Sequence, residues 1–292
     1  MIAGIDGGGT HTRLEIRDGE NQLVCRETFG PFNLNSIGEE AFRKLLQQVF
    51  DFCGGMAACE KLCVGAAGIS NPAVGEILAQ ELSMSGFAGR FVLCGDQEIA
   101  LRGAMDEPGV AVISGTGSIC FGKNKAGRTA RSGGYGHLID DGGSGYALGR
   151  AAFAEAVRAM DGRGGDPEIL AAVLERLGAK TPGELVAFVY GPGTDKSAIA
   201  QFSAVLLQLA EVGNRRAREL LEGEARELYI LAEAVQRQLG LTGCPIALLG
   251  GLLETDNVYR AVVARTLGPL GSVVYPAHDA LWGAAQMAWE LK

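Results

Sequence analysis

Two glycine-rich turns lie far apart in the chain, and each has the composition needed to hold a polyphosphate. The first is Gly7–Thr10 (GGGT), and the second is Ser114–Ser118 (SGTGS). Each turn follows a short apolar run and precedes another, which predicts a strand–turn–strand hairpin. Glycines let backbone N–H groups approach a phosphate closely, and the neighbouring hydroxyls add further donors. Because one turn opens each half of the chain, the pair predicts a nucleotide held between two related domains.

Two aspartates follow apolar runs that read as strands. Asp6 directly precedes the first turn, which favours a Mg²⁺ ion held beside the phosphates through water; a turn-initiating Asp is the alternative. Asp96 follows the run Phe91–Gly95, and the carboxyl ends of strands are where α/β sheets bind ligands. Asp96 is therefore either a general base for a sugar hydroxyl or the N-cap of the next helix.

The segment Gly133–Tyr146 (GGYGHLIDDGGSGY) combines six glycines with paired aspartates ahead of a predicted helix. Its glycines allow backbone to approach a ligand, and Asp141 is suited to accept hydrogen bonds from hydroxyl groups. The alternative is a flexible surface loop that ends in an Asp or Ser helix cap. Asn33, which follows Gly30-Pro31, is either a hydroxyl ligand or an ordinary turn residue.

Length and composition limit the class of protein. The 292 residues are 47% hydrophobic and 21% charged, which predicts globular domains and is enough for two. A net charge of −8 without a basic tract argues against nucleic-acid binding. No signal peptide and no long apolar run is recognised, so we expect no membrane association and a cytoplasmic location. Seven scattered cysteines fit a reducing compartment.

The order of predicted elements repeats once along the chain. Three strands, a helix, a strand, a helix and a strand fill the first hundred residues, and the pattern restarts at Val110–Ser114. Helices then continue to Leu239, and the strand Pro245–Leu249 precedes Gly250-Gly251. We therefore predict an α/β protein with domains at 1–105 and 106–292, the second carrying a helical insertion.

These motifs resemble those of the sugar kinase, actin and heat-shock-chaperone ATPase superfamily. The closer resemblance is to the BadF/BadG-type ATPase family, which contains N-acetylglucosamine kinases. Gly4–Thr10 and Val112–Ser118 resemble its two phosphate motifs, Leu248–Glu254 its adenosine motif, and Gly133–Tyr146 its sugar-side loop. The resemblance covers nearly the whole chain. It implies two ribonuclease H-like (actin-like ATPase) domains with a cleft between them.

The resemblance also implies an activity and a set of site residues. The activity is transfer of phosphate from ATP, with Mg²⁺, to an amino sugar: N-acetylglucosamine to its 6-phosphate, or else glucosamine. We also expect a homodimer. Asp96 corresponds to the catalytic base, and Asp6 is the expected metal site. The expected nucleotide contacts are Gly8, Gly9, Thr10, Thr12, Gly115, Thr116, Gly117, Ser118, Gly250 and Gly251. The expected sugar contacts are Asn33, Thr116, Gly134, Tyr135, Asp141 and Gly145.

Two positions depart from the family pattern. Tyr135 stands where the family usually has Trp, and Gly142 stands where it usually has Glu. Loss of that carboxylate favours a neutral acetamido sugar over glucosamine. The alternative from another class is an ATPase that activates a 2-hydroxyacyl-CoA dehydratase-type partner. Such activators hold an iron–sulfur cluster through paired cysteines beside the phosphate motifs, whereas here Cys120 follows the second motif without a matching pair.

Overall fold

The computed structural model describes residues 1–66, 68–69, 71–106 and 108–292, and it divides into two compact units. Unit 1 comprises Met1–Asp106 together with Pro276–Lys292, and unit 2 comprises Glu107–Tyr275. In the described part of the chain, no helix is both long and apolar enough to cross a membrane.

Unit 1 is built on a five-stranded sheet in which three strands are antiparallel and two more continue in parallel. The order is β3-β2-β1-β4-β5, with β1 antiparallel to β2 and parallel to β4. The strands are β1 (Ile2–Gly7), β2 (Thr12–Arg17), β3 (Leu23–Phe29), β4 (Lys61–Ala66) and β5 (Arg90–Gly95). The helices are α1 (Leu34–Ile37), α2 (Glu39–Phe52), α3 (Pro72–Met84), α4 (Asp96–Ala104) and, at the C-terminus, α13 (Ala280–Trp289).

Unit 2 repeats this sheet. Its order is β8-β7-β6-β9-β10, again with an antiparallel hairpin followed by two parallel strands. The strands are β6 (Gly109–Ser114), β7 (Ser118–Lys123), β8 (Thr129–Gly133), β9 (Gly243–Leu249) and β10 (Gly271–Val274). Between β8 and β9 lie α5 (Gly145–Met160), α6 (Pro167–Leu177), α7 (Pro182–Val189), α8 (Lys196–Ala200), α9 (Ser203–Glu211) and α10 (Arg215–Leu239). The short α11 (Gly251–Glu254) and α12 (Val258–Leu267) follow β9. The predicted α/β class and the duplication are confirmed.

The C-terminal helix α13 belongs to unit 1 because glycines let it lie directly on β1 and α4. A Cβ at Gly4 would stand 2.4 Å from the backbone nitrogen of Ala285, and one at Gly283 would stand 2.0 Å from the carbonyl oxygen of Ile99. Both distances are far below any real Cβ contact. The element order along the chain predicts residues 276–292 to be part of the second domain; the structure places them in unit 1 instead.

Candidate active site

The first glycine turn joins β1 to β2 and presents backbone donors at the surface. Its base is held by the Gly8 N–H, which donates to the carbonyl of His11 at 2.9 Å, and by the Phe32 N–H, which donates to the carbonyl of Gly8 at 2.9 Å. Gly9 and Thr10 are exposed, and their N–H groups have no acceptor among the described residues. The turn therefore offers two amide donors to a ligand.

Two residues expected to contact ligands lie behind this turn. Thr12 is fully buried, and its hydroxyl donates to the carbonyl of Gly30 at 2.7 Å. Its side chain thus anchors the start of β2 and has no surface to offer a nucleotide, which revises its expected role. Asn33 is half-buried and is the N-cap residue of α1, but the Asn33 side chain makes no capping hydrogen bond. It directly follows Phe32, whose N–H holds the turn.

Asp6 stands at the end of β1, directly opposite Arg13 on β2. Nη2 and Nε of Arg13 lie 2.5 and 3.2 Å from Oδ2 of Asp6, while Oδ1 has no hydrogen-bond partner in the described part of the chain. Nowhere in the described ranges do three or more His, Cys, Asp or Glu side chains cluster as a metal site. Mg²⁺ commonly binds through one or two carboxylates, waters and substrate phosphates. Asp6 fits such an ion through Oδ1.

Asp96 begins α4 immediately after β5, but it is not the N-cap. Gly95 holds the cap position, and its N–H donates to Oε1 of Glu98 at 3.2 Å. Among the described residues outside Asp96 itself, the carboxylate of Asp96 accepts one hydrogen bond, from the adjacent N–H of Gln97 at 3.0 Å. An N-cap side chain accepts from the N–H two or three residues further on. The capping alternative for Asp96 therefore loses its geometric basis.

The surroundings of Asp96 alter its acidity. Although the residue has exposed surface, the protein packed around its carboxyl raises the pKa above the ordinary value, and the charge of Asp6 raises it further. Only β4 separates β1 from β5, so Asp6 and Asp96 lie near the same edge of the unit 1 sheet. A raised pKa suits a carboxylate that must accept a proton near neutral pH.

The second glycine turn joins β6 to β7 and is one residue shorter than the first. The Gly115 N–H donates to the carbonyl of Gly117 at 2.9 Å, closing the turn. The carbonyls of Gly115 and Thr116 accept from the N–H groups of Gly145 and Tyr146, at 2.8 and 3.3 Å. The N–H groups of Thr116 and Gly117 have no acceptor in the part of the chain that the structure describes. Here, too, two amide donors remain available.

Hydroxyl groups fasten the sugar-side loop to the second turn. Ser114 and Ser118 donate to the carbonyls of Gly143 and Gly142, both at 2.7 Å. The hydroxyl of Ser118, an expected nucleotide contact, is therefore engaged within the fold.

The predicted adenosine motif adjoins the same turn. Gly250 has a φ of +87°, and a Cβ there would lie 2.5 Å from the carbonyl oxygen of Ser114. The backbone nitrogen of Gly251 lies 3.9 Å from the position that a Cβ at Gly115 would take. The structure thus brings Gly250 and Gly251 against the second phosphate turn.

The segment after β8 reaches the surface and borders a polar pocket. Tyr135 is 61% exposed, and the Arg131 guanidinium lies over its ring at 5.2 Å; its neighbour Gly134 has a left-handed backbone. The adjoining pocket has a volume of about 420 Å³. Its charged and polar lining consists of His137, Asp140, Tyr146, Arg150, Glu224 and Glu227.

The structure explains why position 142 lacks a side chain. A Cβ at Gly142 would lie 2.9 Å from both Cβ and Cγ of Glu227 and 3.3 Å from its Oε2. A carboxylate from α10 therefore occupies the space into which a residue 142 side chain would extend. The sequence analysis inferred the loss of a carboxylate at position 142, and the structure brings the carboxylate of Glu227 against that position from a distant part of the chain.

Asp141 is buried and paired with a lysine that carries no sequence motif. The backbone of Asp141 is left-handed, with a φ of +72°, and the residue is 2% exposed. Its Oδ2 lies 2.6 Å from Nζ of Lys196, and its Oδ1 accepts the Ser118 N–H at 3.3 Å. Hydroxyl recognition is the expected task of Asp141, but in this structure its carboxylate has almost no accessible surface. Lys196 was not expected in the site.

The chain is similar to known proteins over nearly its whole length. The chain is 32% identical to the N-acetylmuramic acid/N-acetylglucosamine kinase of Clostridium acetobutylicum, covering 98% of this chain and 97% of that protein. It is 27% identical to the N-acetyl-D-glucosamine kinase of Dictyostelium discoideum, covering 100% and 98%. A crystal structure of a candidate N-acetylglucosamine kinase from Chromobacterium violaceum matches with a TM-score of 0.77 and 26% identity, covering 98% of both chains.

Lower-identity structures share the fold. A glucokinase of the ROK family from Streptomyces griseus, crystallised with glucose and an ATP analogue, matches with a TM-score of 0.59 at 16% identity, over 99% of both chains. The model of the BadF/BadG/BcrA/BcrD ATPase family matches residues 3–288, nearly the whole chain. The chain therefore belongs to the BadF/BadG/BcrA/BcrD ATPase family.

Proposed function

We propose that this protein transfers the γ-phosphoryl group of ATP to an amino sugar, with N-acetylglucosamine as acceptor and its 6-phosphate as product. The observation that carries the proposal is the matching pair of glycine turns. Each joins the first two strands of its sheet, and each leaves two N–H groups without an acceptor in the described structure. The choice of acceptor rests on the relatives, two of which are named as N-acetylglucosamine kinases.

Phosphate binding is the task of the turns. The N–H groups of Gly9 and Thr10 in one unit, and of Thr116 and Gly117 in the other, donate to the phosphate oxygens, with Gly8 and Gly115 giving the backbone room. Gly250 and Gly251 flank the adenosine. Asp6 would hold a Mg²⁺ ion that enters with the nucleotide, and the ion would neutralise phosphate charge. Phosphoryl transfer asks little covalent chemistry of the protein, so positioning and charge supply most of the catalysis.

Asp96 acts on the acceptor. As the sugar hydroxyl oxygen bonds to the γ-phosphorus, its proton passes to the carboxylate of Asp96, and ADP leaves with the electron pair of the broken P–O bond. The raised pKa of Asp96 makes it a stronger base than an ordinary carboxylate. This role uses a carboxylate that directly follows a strand of the unit 1 sheet and caps no helix.

Asn33, Thr116, Gly134, Tyr135 and Gly145 are the proposed sugar-side residues. Asp141 is left out of this set because Lys196 and the Ser118 N–H already engage its carboxylate. A homodimer remains a prediction from the family. A cytoplasmic location is proposed because all seven cysteines are free thiols, as a reducing compartment would keep them.

The structure does not support the alternative that this protein is an ATPase activating a 2-hydroxyacyl-CoA dehydratase-type partner. Cys120 is fully buried in β7, and burial raises the pKa of its thiol far above the ordinary value. A cysteine in that state is a core residue and cannot reach a cluster shared with a second subunit.

The test is a coupled ADP-release assay over N-acetylglucosamine, N-acetylmuramic acid, glucosamine and neutral hexoses at matched concentrations. We expect kcat/KM for N-acetylglucosamine to exceed that for glucosamine. Each mismatched polar contact is worth about 1–3 kcal/mol. A preference for glucosamine would overturn the acceptor and leave the kinase proposal standing. Steady ATP hydrolysis without sugar turnover, in a protein with an iron chromophore, would overturn both.

A further inference from the structure

We propose that Lys196 binds the phosphates of ATP and that Asp141 positions it; this inference rests on the proposed kinase function. Lys196 is the first residue of α8, whose N-cap is Asp195, with Oδ1 accepting the Ala198 N–H at 2.8 Å. This capped start fixes where the lysine leaves the backbone. Its ammonium reaches the second glycine turn, where Nζ lies 2.6 Å from the position that a Cβ at Gly117 would take. The charge is therefore placed against the N–H groups proposed to hold phosphate.

A cation beside the second glycine turn is needed because the carboxylate of Asp141 lies there. Oδ1 of Asp141 lies only 3.1 Å from the Cβ position of Gly117. A lone carboxylate this close to bound phosphates would repel them. Lys196 cancels that charge, and its ammonium carries three donors, more than one carboxylate contact uses. The lysine is also 28% exposed, so a ligand can reach it.

The two side chains are joined by charge and not by an aligned hydrogen bond. Oδ2 of Asp141 is buried and has no partner in hydrogen-bond geometry in the described part of the chain, although Nζ of Lys196 is 2.6 Å away. Asp141 keeps the lysine near the turn by charge without fixing the directions of its N–H bonds. In addition, Asp141 has a left-handed backbone, a strained state that persists where the surrounding structure holds it. Both features are typical of a positioning residue.

The competing explanation is a purely structural ion pair, in which Lys196 only neutralises the buried Asp141. Calorimetry of the full-length protein separates the two explanations, with ATP, AMP and N-acetylglucosamine as ligands. The variants are Lys196→Met, Asp141→Asn and their combination, with Lys125→Met as an exposed control for loss of a lysine charge. Thermal melting is followed in parallel, because Lys196→Met alone leaves a buried carboxylate unpaired.

We expect Lys196→Met to weaken ATP binding by about 10- to 100-fold, the range for a hydrogen bond to a charged group. AMP and sugar binding should change by less than about twofold, since neither ligand has β- or γ-phosphates. The double variant should regain thermal stability and still bind ATP weakly. Recovery of wild-type ATP affinity in the double variant would overturn the proposal, as would unchanged affinity in Lys196→Met. Failure of the wild-type protein to bind ATP would instead refute the kinase function.

Discussion

Burial raises the pKa of the Asp96 carboxyl, and the charge of Asp6, which lies across the single intervening strand β4, raises it further. Asp6 and Asp96 lie near the same edge of the unit 1 sheet. Arg13 pairs with Asp6 but does not remove the effect of Asp6 on the pKa of Asp96. The carboxylate proposed to hold Mg²⁺ thereby raises the pKa of the proposed general base. The pH dependence of the reaction should report this coupling.

The first prediction concerns the acid limb of the kcat/KM profile. Asp96 must be ionised to accept a proton, so activity rises as pH rises through its pKa. Asp6→Asn removes a nearby negative charge and lowers that pKa, so the acid limb should move to lower pH even where the maximal rate also falls. Asp51→Asn, an exposed carboxylate at the end of α2, is the control and should leave the limb in place. An unmoved limb in Asp6→Asn would contradict the coupling.

The second prediction separates catalysis from stability at Asp96. Asp96→Asn should lower kcat by about 10²–10⁴-fold while sugar and ATP binding persist. Because the folded-state pKa is raised, ionised Asp96 opposes folding at neutral pH. The Tm of Asp96→Asn at pH 7 should therefore equal or exceed that of the wild type, and any gain should vanish once pH falls below the ordinary carboxyl pKa.

The matched control for Asp96 lies two residues further along the same helix. Glu98→Ala removes the side chain that accepts the Gly95 N–H, so it should lower the Tm and spare most of kcat. Loss of such a cap costs about 0.5–2 kcal/mol. If Asp96→Asn behaved like Glu98→Ala, with a lower Tm and near-normal turnover, its role as the base would be wrong.

The third prediction uses a glycine that the fold does not require. A Cβ at Gly9 meets no heavy atom within 4 Å, and its φ is not left-handed. Gly9→Val should therefore fold normally and block phosphate, weakening ATP binding by more than about tenfold, or about 1.4 kcal/mol. Gly19→Val, equally unhindered but in the turn between β2 and β3, should bind ATP as the wild type does. Equal binding by both variants would refute the phosphate role of the first turn.

Gly117 is less suitable for that experiment. A Cβ there would stand 2.6 Å from Nζ of Lys196, so any side chain also displaces the ammonium. Loss of ATP binding in Gly117→Val would not distinguish a blocked turn from a displaced lysine. The variant is useful only beside Lys196→Met.

Sequence patterns were sufficient for most strands and for both hairpins, because alternating or continuous apolar runs bounded by glycine encode them locally. They missed β8 (Thr129–Gly133), an edge strand with no apolar alternation. The order of elements also predicted α13 to be part of the second domain, whereas the structure places it in unit 1. Its place depends on the close approaches at Gly4 and Gly283, which become visible only once distant segments are in contact.

The same limit applies to the site. Glycine turns can be recognised from the sequence because the residues that form them are consecutive. Contacts between residues far apart in the sequence cannot be recognised in this way. Neither the pairing of Lys196 with Asp141 nor the burial of Thr12 could therefore be predicted from the sequence. At Gly142 the sequence suggested a lost carboxylate, and only the structure reveals that the side chain of Glu227 lies against this position.

The last prediction tests the contact between positions 142 and 227 by exchanging their side chains. Gly142→Glu alone should lower the Tm, because its Cβ would stand 2.9 Å from Cβ and Cγ of Glu227 and overpacking costs about 1–3 kcal/mol. Adding Glu227→Gly removes the obstructing atoms and gives the carboxylate room on the loop, so the double variant should regain Tm. A helical glycine itself costs about 1 kcal/mol, which the single variant Glu227→Gly measures.

Glu233→Gly supplies the control for this exchange, since it is exposed on the same helix. Combined with Gly142→Glu, it should give no rescue, only the sum of two losses. A double-mutant cycle on the Tm-derived free energies should show a coupling of about 0.5–3 kcal/mol for the 142–227 pair and none for the 142–233 pair. Additive losses in both cycles would mean that Glu227 does not occupy the space that residue 142 leaves empty.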